Sequence, residues 1–192
     1  ITMSAKTLTF QDIAKMIDIS AVQAPHGEED IRELVNRARE YGFGAIHVLP
    51  SWVPFTRVLL QEVAGVSLGS PVGFPSGGNH SLIKRAEAQQ IVADGADELD
   101  MMINVGKLRS GRDEYVFEEI QSVIEAVSVP VKVILETYYL TNDEIQRACE
   151  LCVSAGAEYI KTSTGWADVG ATLENVAFIA GCVSGRVVIK AA

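Results

Sequence analysis

The sequence has 192 residues, 48% hydrophobic and 21% charged, with a formal net charge of −9. That much apolar side chain supports a buried core and excludes a disordered tail, and the acidity disfavours a nucleic-acid backbone or an anionic membrane surface as partner. No apolar run approaches the ~20 residues that span a bilayer. The first residues, Ile1 to Lys6, also lack the apolar stretch of a secretory signal, so the expectation is one soluble, cytoplasmic domain over residues 1–192.

Along the chain, short β-branched runs alternate with amphipathic stretches, with no linker or low-complexity break. The spacing predicts strands at Met16 to Ser20, Gly44 to Leu49, Ser67 to Phe74, Glu98 to Ile103, Val131 to Glu136, Glu158 to Thr162 and Arg186 to Ala191. Between the first two, Ile31, Leu34, Val35, Ala38 and Tyr41 share one helical face. After the third, Gly73-Phe74-Pro75-Ser76-Gly77-Gly78 leads into a helix near Ser81. Its amides could cradle an anion, but tight-turn geometry explains the glycines more simply.

Val116, Ile120, Val123, Ile124 and Val127 mark the next helical face. Thr141 with Glu144 reads as a capping box, Gly156 as that helix's stop, and Thr172 as the N-cap of a last helix from about Leu173 to Ile179. Cys149-Glu150-Leu151-Cys152 matches C-x-x-C. It lies inside a predicted helix without a second pair, so both cysteines read as helix residues packed on a sheet. Three cysteines, Cys182 being the third, fit a reducing compartment.

Strictly alternating strands and helices allow a β/α barrel or a doubly wound open sheet. Lys132, Lys161 and Lys190 follow one another at intervals of 29 residues, close to the ~30 residues of one βαβ repeat. Each is expected late in its strand, at one shared mouth, which favours the barrel. Seven strands leave two unpaired edges, so the expected fold is an α/β TIM (β/α)8 barrel whose last strand-helix unit is missing from a truncated or partly ordered chain.

Of the seven lysines, these three fall within strands, and lysine is rarely buried without reason. Each could simply pair with a strand carboxylate such as Asp100 or Glu136. Three at corresponding positions point instead to a functional cluster. An amine attacks a carbonyl only when unprotonated, whereas an unperturbed lysine near pKa ~10.4 is almost wholly ammonium at neutral pH. Desolvation and a neighbouring ammonium both favour the neutral form, so one lysine can act as nucleophile beside a second cation. Asp100, closing Gly-Ala-Asp-Glu-Leu-Asp, is placed to move protons. Thr162, Ser163 and Thr164 offer hydroxyls, for which a turn or cap role is equally open, and Thr164, Gly165, Gly170 and Thr172 lie where substrate or phosphate contacts are expected. His26, His47 and His80 form no metal-ligand spacing, and no nucleotide fingerprint occurs, so neither a metal nor another cofactor is expected.

The segments Gly95-Ala96-Asp97-Glu98-Leu99-Asp100-Met101-Met102-Ile103-Asn104, Lys132-Val133-Ile134-Leu135-Glu136-Thr137, Ile160-Lys161-Thr162-Ser163-Thr164-Gly165, Gly170-Ala171-Thr172 and Ile189-Lys190-Ala191 together resemble the deoxyribose-phosphate aldolases over nearly the whole chain. The resemblance implies a class I barrel aldolase that reversibly joins acetaldehyde to glyceraldehyde 3-phosphate, giving 2-deoxyribose 5-phosphate. It implies Lys161 as the Schiff-base lysine, Lys190 as the lysine that perturbs it, and Asp100 as the acid/base. Lys132 would be a supporting lysine near Asp100, and Asp18 an aspartate of the first strand. The implied partners are small aldehydes and sugar phosphates, with a homo-oligomer possible for such barrels.

Two departures bear on substrate preference. The family commonly has Ile-Asp-His-Thr where this chain reads Ile17-Asp18-Ile19-Ser20, and His47 stands where many members have cysteine. The family's phosphate-binding glycine pair after the Lys-Ala segment is not in the sequence. Another aldehyde or sugar phosphate as substrate, or a non-catalytic binding protein on the same scaffold, are the alternatives.

Overall fold

The computed structural model describes residues 8–192. All seven predicted strands form: β1 (Asp18–Ala21), β2 (Ala45–Val48), β3 (Ser67–Val72), β4 (Glu98–Met102), β5 (Val131–Ile134), β6 (Tyr159–Lys161) and β7 (Val188–Lys190). They make one all-parallel sheet in chain order. Most are a residue or two shorter than the apolar runs suggest, as element ends commonly are.

Eight helices accompany them: α1 (Phe10–Ala14), α2 (Glu28–Tyr41), α3 (Val53–Leu60), α4 (Ser81–Ala93), α5 (Val105–Arg109), α6 (Asp113–Ile124), α7 (Asn142–Ser154) and α8 (Leu173–Val183). The Thr141 capping box and the Thr172 N-cap form as the sequence predicts. The sheet curls into an unclosed barrel. The Lys190 amine of β7 reaches the Met16 carbonyl and the Asp18 carboxylate beside β1, yet no strand pairs with either edge among the described residues. Among those residues no helix is long and apolar enough to cross a membrane.

Strand side chains alternate between two faces, and here the faces have opposite chemistry. The outer set includes Ile46, Val48, Leu68, Val72, Leu99, Met101, Val133 and Ile160, which form the main core with helical residues such as Ile31, Val35, Ile91, Ile120 and Ile145. The inner set, which also holds Pro71 and Ile134, carries the charge: Asp18 and Ser20, His47, Glu98 and Asp100, Lys132, Lys161 and Lys190. Burial between sheet and helices therefore drives folding and leaves the barrel interior free for charge. Cys149 and Cys152 belong to the apolar layer. Burial raises both thiols, that of Cys149 to about 12, as expected of inert packing residues.

A buried ion pair lies outside the barrel. Lys84 and Glu119 are fully buried between α4 and α6 at 2.8 Å, and the Lys84 amine also donates to the Met102 carbonyl at the end of β4. Burial lowers the lysine and raises the carboxyl from their ordinary values, and mutual attraction opposes both shifts. The pair ties two helices to the strand carrying Asp100. Lys84→Ala is expected to cost about 3–5 kcal/mol by stranding Glu119. Replacing both partners with Met and Leu should recover most of that in urea denaturation.

Candidate active site

A cleft of ≈ 200 Å³ opens at the carboxyl ends of the strands, lined by Asp18, His47, Asp100, Lys161 and Lys190 among others. Register decides who meets whom. Ile134, Lys161 and Lys190 are paired neighbours across β5, β6 and β7, while Asp100, Lys132 and Tyr159 are paired one step nearer the amino ends. The equal lysine spacing therefore misplaces Lys132, which is the second residue of β5 and lies off the level of the other two. Parity survives because the offset is two residues, so Lys132 still points inward. Its level changes because the locking of outer apolar pairs such as Val133 and Ile160 sets register, not distance along the chain.

Asp100 is the centre of the charge network. Its Oδ2 is 2.6 Å from the Lys161 amine, and its Oδ1 is 3.3 Å from both the Lys132 amine and His47 Nε2. Lys132 also contacts Glu98, and His47 Nε2 lies 3.2 Å from the same carboxylate. Lys190 pairs with Asp18 at 2.7 Å. Burial alone would raise the Asp100 carboxyl, but His47, Lys161 and Lys132 together outweigh it and hold the group well below the ordinary carboxylate range. For Lys132 the order is similar: desolvation favours the neutral amine, and Asp100 and Glu98 more than offset it.

Asp18, His47 and Glu98 bring donor atoms within 4.8 Å of one another. Lys190 already pairs with Asp18 and Lys132 with Glu98, and a cation there would have to compete with two ammonium groups.

The loop after β6 is fixed by its own hydroxyls. Thr164 donates through both its amide and its hydroxyl to the buried Glu136 carboxylate, and its hydroxyl accepts from the Trp166 amide. Thr162 and Ser163 donate to the Ala192 carbonyl. Thr164 and Gly165 line the cleft, whereas Gly170 packs against Ala192 and Thr172 caps α8, both off the lining. The loop after β3 is a tight turn. Its Gly73, Gly77 and Gly78 amides bind Glu87, the Gly73 carbonyl and Ser76, and Gly77, at φ +67°, lies against the Ile103 carbonyl.

Glu98 and Lys84 escaped the reading of the sequence. Glu98 is two residues from Asp100 on one strand, which puts both on one face. Lys84 shares the buried face of α4 with Ala88 and Ile91, and that i, i+4, i+7 spacing was the available signal.

A lysine amine bonded to a buried carboxylate, at the carboxyl-end mouth of a parallel β/α barrel, defines an enzyme equipped for amine–carbonyl chemistry. The chain belongs to the DeoC/LacD family of aldolases, whose profile matches residues 10–187. It is 46% identical over 194 residues to the deoxyribose-phosphate aldolase of Klebsiella pneumoniae, covering 100% of this chain and 77% of that one. To that of Sinorhizobium medicae it is 50% identical, covering 97% and 75%. Among solved structures it superposes on the deoxyribose-phosphate aldolase of Aeropyrum pernix, described as a tetramer, with a TM-score of 0.88, 31% identity and coverage of 96% and 78%. An aldolase designated QR15 gives 0.89 at 38% identity, covering 94% and 80%. The chain is thus a class I aldolase, a carbon-carbon lyase.

Because Asp100 is held low, the stability it contributes is complete above the unfolded-state value of about 3.9 and is lost as pH falls through the lower folded value. The stability gap between the unsubstituted protein and Asp100→Asn in urea denaturation should be constant above about pH 5 and narrow below about pH 4. A gap that ignores pH would contradict the network.

Proposed function

We propose that the protein reversibly cleaves 2-deoxy-D-ribose 5-phosphate to D-glyceraldehyde 3-phosphate and acetaldehyde through a Schiff base on Lys161. The observation that carries the reading is the 2.6 Å contact between the Lys161 amine and Asp100 Oδ2 in the cleft. Lys161 Nζ adds to C1 of the open-chain aldehyde, and loss of water from the carbinolamine gives an iminium. Breaking C2–C3, with loss of the C3 hydroxyl proton, releases glyceraldehyde 3-phosphate and leaves an enamine. Protonation at C2 gives the acetaldehyde imine, and water returns the free amine.

Asp100 is the acid/base in this reading. At rest the Lys161 charge is one of the groups that keep Asp100 ionised. When the Lys161 ammonium gives up a proton and the neutral amine adds to C1, the carbinolamine that results no longer carries that charge, and the carboxyl becomes a better proton acceptor at the step that needs one. Lys190, opposite Lys161 in register and bound to Asp18, is the second cation of the site. Lys132 supports Asp100 from the adjacent strand. Thr164 and Gly165 line the substrate's path, and Gly170 and Thr172 shape the loop behind them. No metal or other cofactor takes part in the steps.

The Aeropyrum pernix tetramer supports self-association, and the thiol usage supports a reducing cytoplasm. Borohydride with acetaldehyde should attach an ethyl group to Lys161, located by peptide mass, and Lys161→Leu should abolish it. Asp100→Asn should lower kcat by about 10²–10⁴-fold. Faster cleavage of a non-deoxy sugar phosphate would instead favour a different substrate.

A further inference from the structure

We propose that His47 is a positioning residue of the aldolase site: its imidazole crosses β3 to hold Asp100 Oδ1, so that Oδ2 faces Lys161, and Gly69 makes the crossing possible. The inference rests on the aldolase reading above and deepens it.

His47 is on β2 and Asp100 on β4, two strand spacings of about 4.8 Å apart. A side chain on β3 would normally fill the space between them. The residue in register between His47 and Glu98 is Gly69. A Cβ there would lie 2.2, 2.5 and 2.7 Å from His47 Nε2, Cδ2 and Cε1, inside the space the ring occupies. The imidazole thus lies over the β3 backbone and reaches both carboxylates of β4 while itself buried.

The titratable side chains around Asp100 come from every strand of the sheet but one. Asp18 is on β1, His47 on β2, Glu98 on β4 itself, Lys132 on β5, Lys161 on β6 and Lys190 on β7. β3 contributes none, and His47 occupies its place. His47 Nε2 makes no aligned hydrogen bond to either carboxylate, at 3.2 Å from Glu98 and 3.3 Å from Asp100 Oδ1, so the ring acts on both by close packing and its N–H dipole. Without the ring, Asp100 Oδ1 and Glu98 would share the Lys132 ammonium, with Lys161 left on Oδ2. Two neighbouring carboxylates with one fewer group to offset them have a higher proton affinity, and Oδ1 would lose one of its two contacts.

The test has two arms. In the first, the stability gap between a protein and its Asp100→Asn counterpart is followed against pH in urea denaturation, for the unsubstituted protein and for His47→Leu. Removing the ring raises the Asp100 proton affinity, so the gap should begin to narrow at a pH about one unit higher in His47→Leu, and kcat/KM for deoxyribose 5-phosphate at neutral pH should fall. A fall in kcat/KM with the onset of narrowing unmoved would show that the ring merely fills space and would overturn the proposal.

In the second arm, thermal unfolding without substrate follows Gly69→Ala in two backgrounds. The substitution should destabilise the unsubstituted protein and be nearly neutral in His47→Ala, a coupling of the size seen between touching residues. An equal cost in both backgrounds would overturn the crossing. Failure of the unsubstituted protein to form a borohydride adduct would overturn the aldolase reading and the catalytic half of this proposal, while the unfolding cycle still decides whether the ring passes over Gly69.

Discussion

Asp100 puts a carboxylate where burial by itself favours the protonated form. What keeps it ionised is convergence: a lysine from β5, a lysine from β6 and a histidine from β2 meet at its two oxygens. None of these residues is near Asp100 in sequence, so the buried charge at the centre of the site is compensated only while the sheet brings those strands together. The remaining pairings follow from the same constraint, since each further charge inside the barrel also needs an opposite within reach. Glu98 takes Lys132, and Asp18 takes Lys190.

The sheet can bear such an interior because its stability comes from the other face. Apolar residues at alternate strand positions pack under the helices, where burial stabilises at roughly 25 cal/mol per Å². The fully buried Lys84–Glu119 pair then joins that layer to the end of β4. Scaffold and chemistry thus occupy opposite sides of each strand, and a one-residue slip would exchange them.

The relation to the deoxyribose-phosphate aldolases gains physical content at the points of departure. His47, one of the positions where the resemblance to the family breaks, is joined to the site through an absent side chain at Gly69. The hydroxyls of Thr162, Ser163 and Thr164, which read as a string leave substrate contact and a turn role equally open, hold the loop and the segment after β7. Hydroxyls commonly find such local partners in turns.

What the sequence by itself determined is the set of local periodicities. Seven β-branched runs, the helical faces between them, the caps at Thr141 and Thr172, and the inward parity of Asp100, Lys132, Lys161 and Lys190 all follow from spacing within a few residues. Recognition of Lys161 and Asp100 came from motifs of the same short range. Tertiary structure alone decided the level of Lys132, the burial of Lys84 and the passage of His47 over Gly69. Each depends on register between strands, or on helices meeting across a sheet, and those are fixed by how apolar side chains interlock over long separations rather than by residues adjacent in the chain.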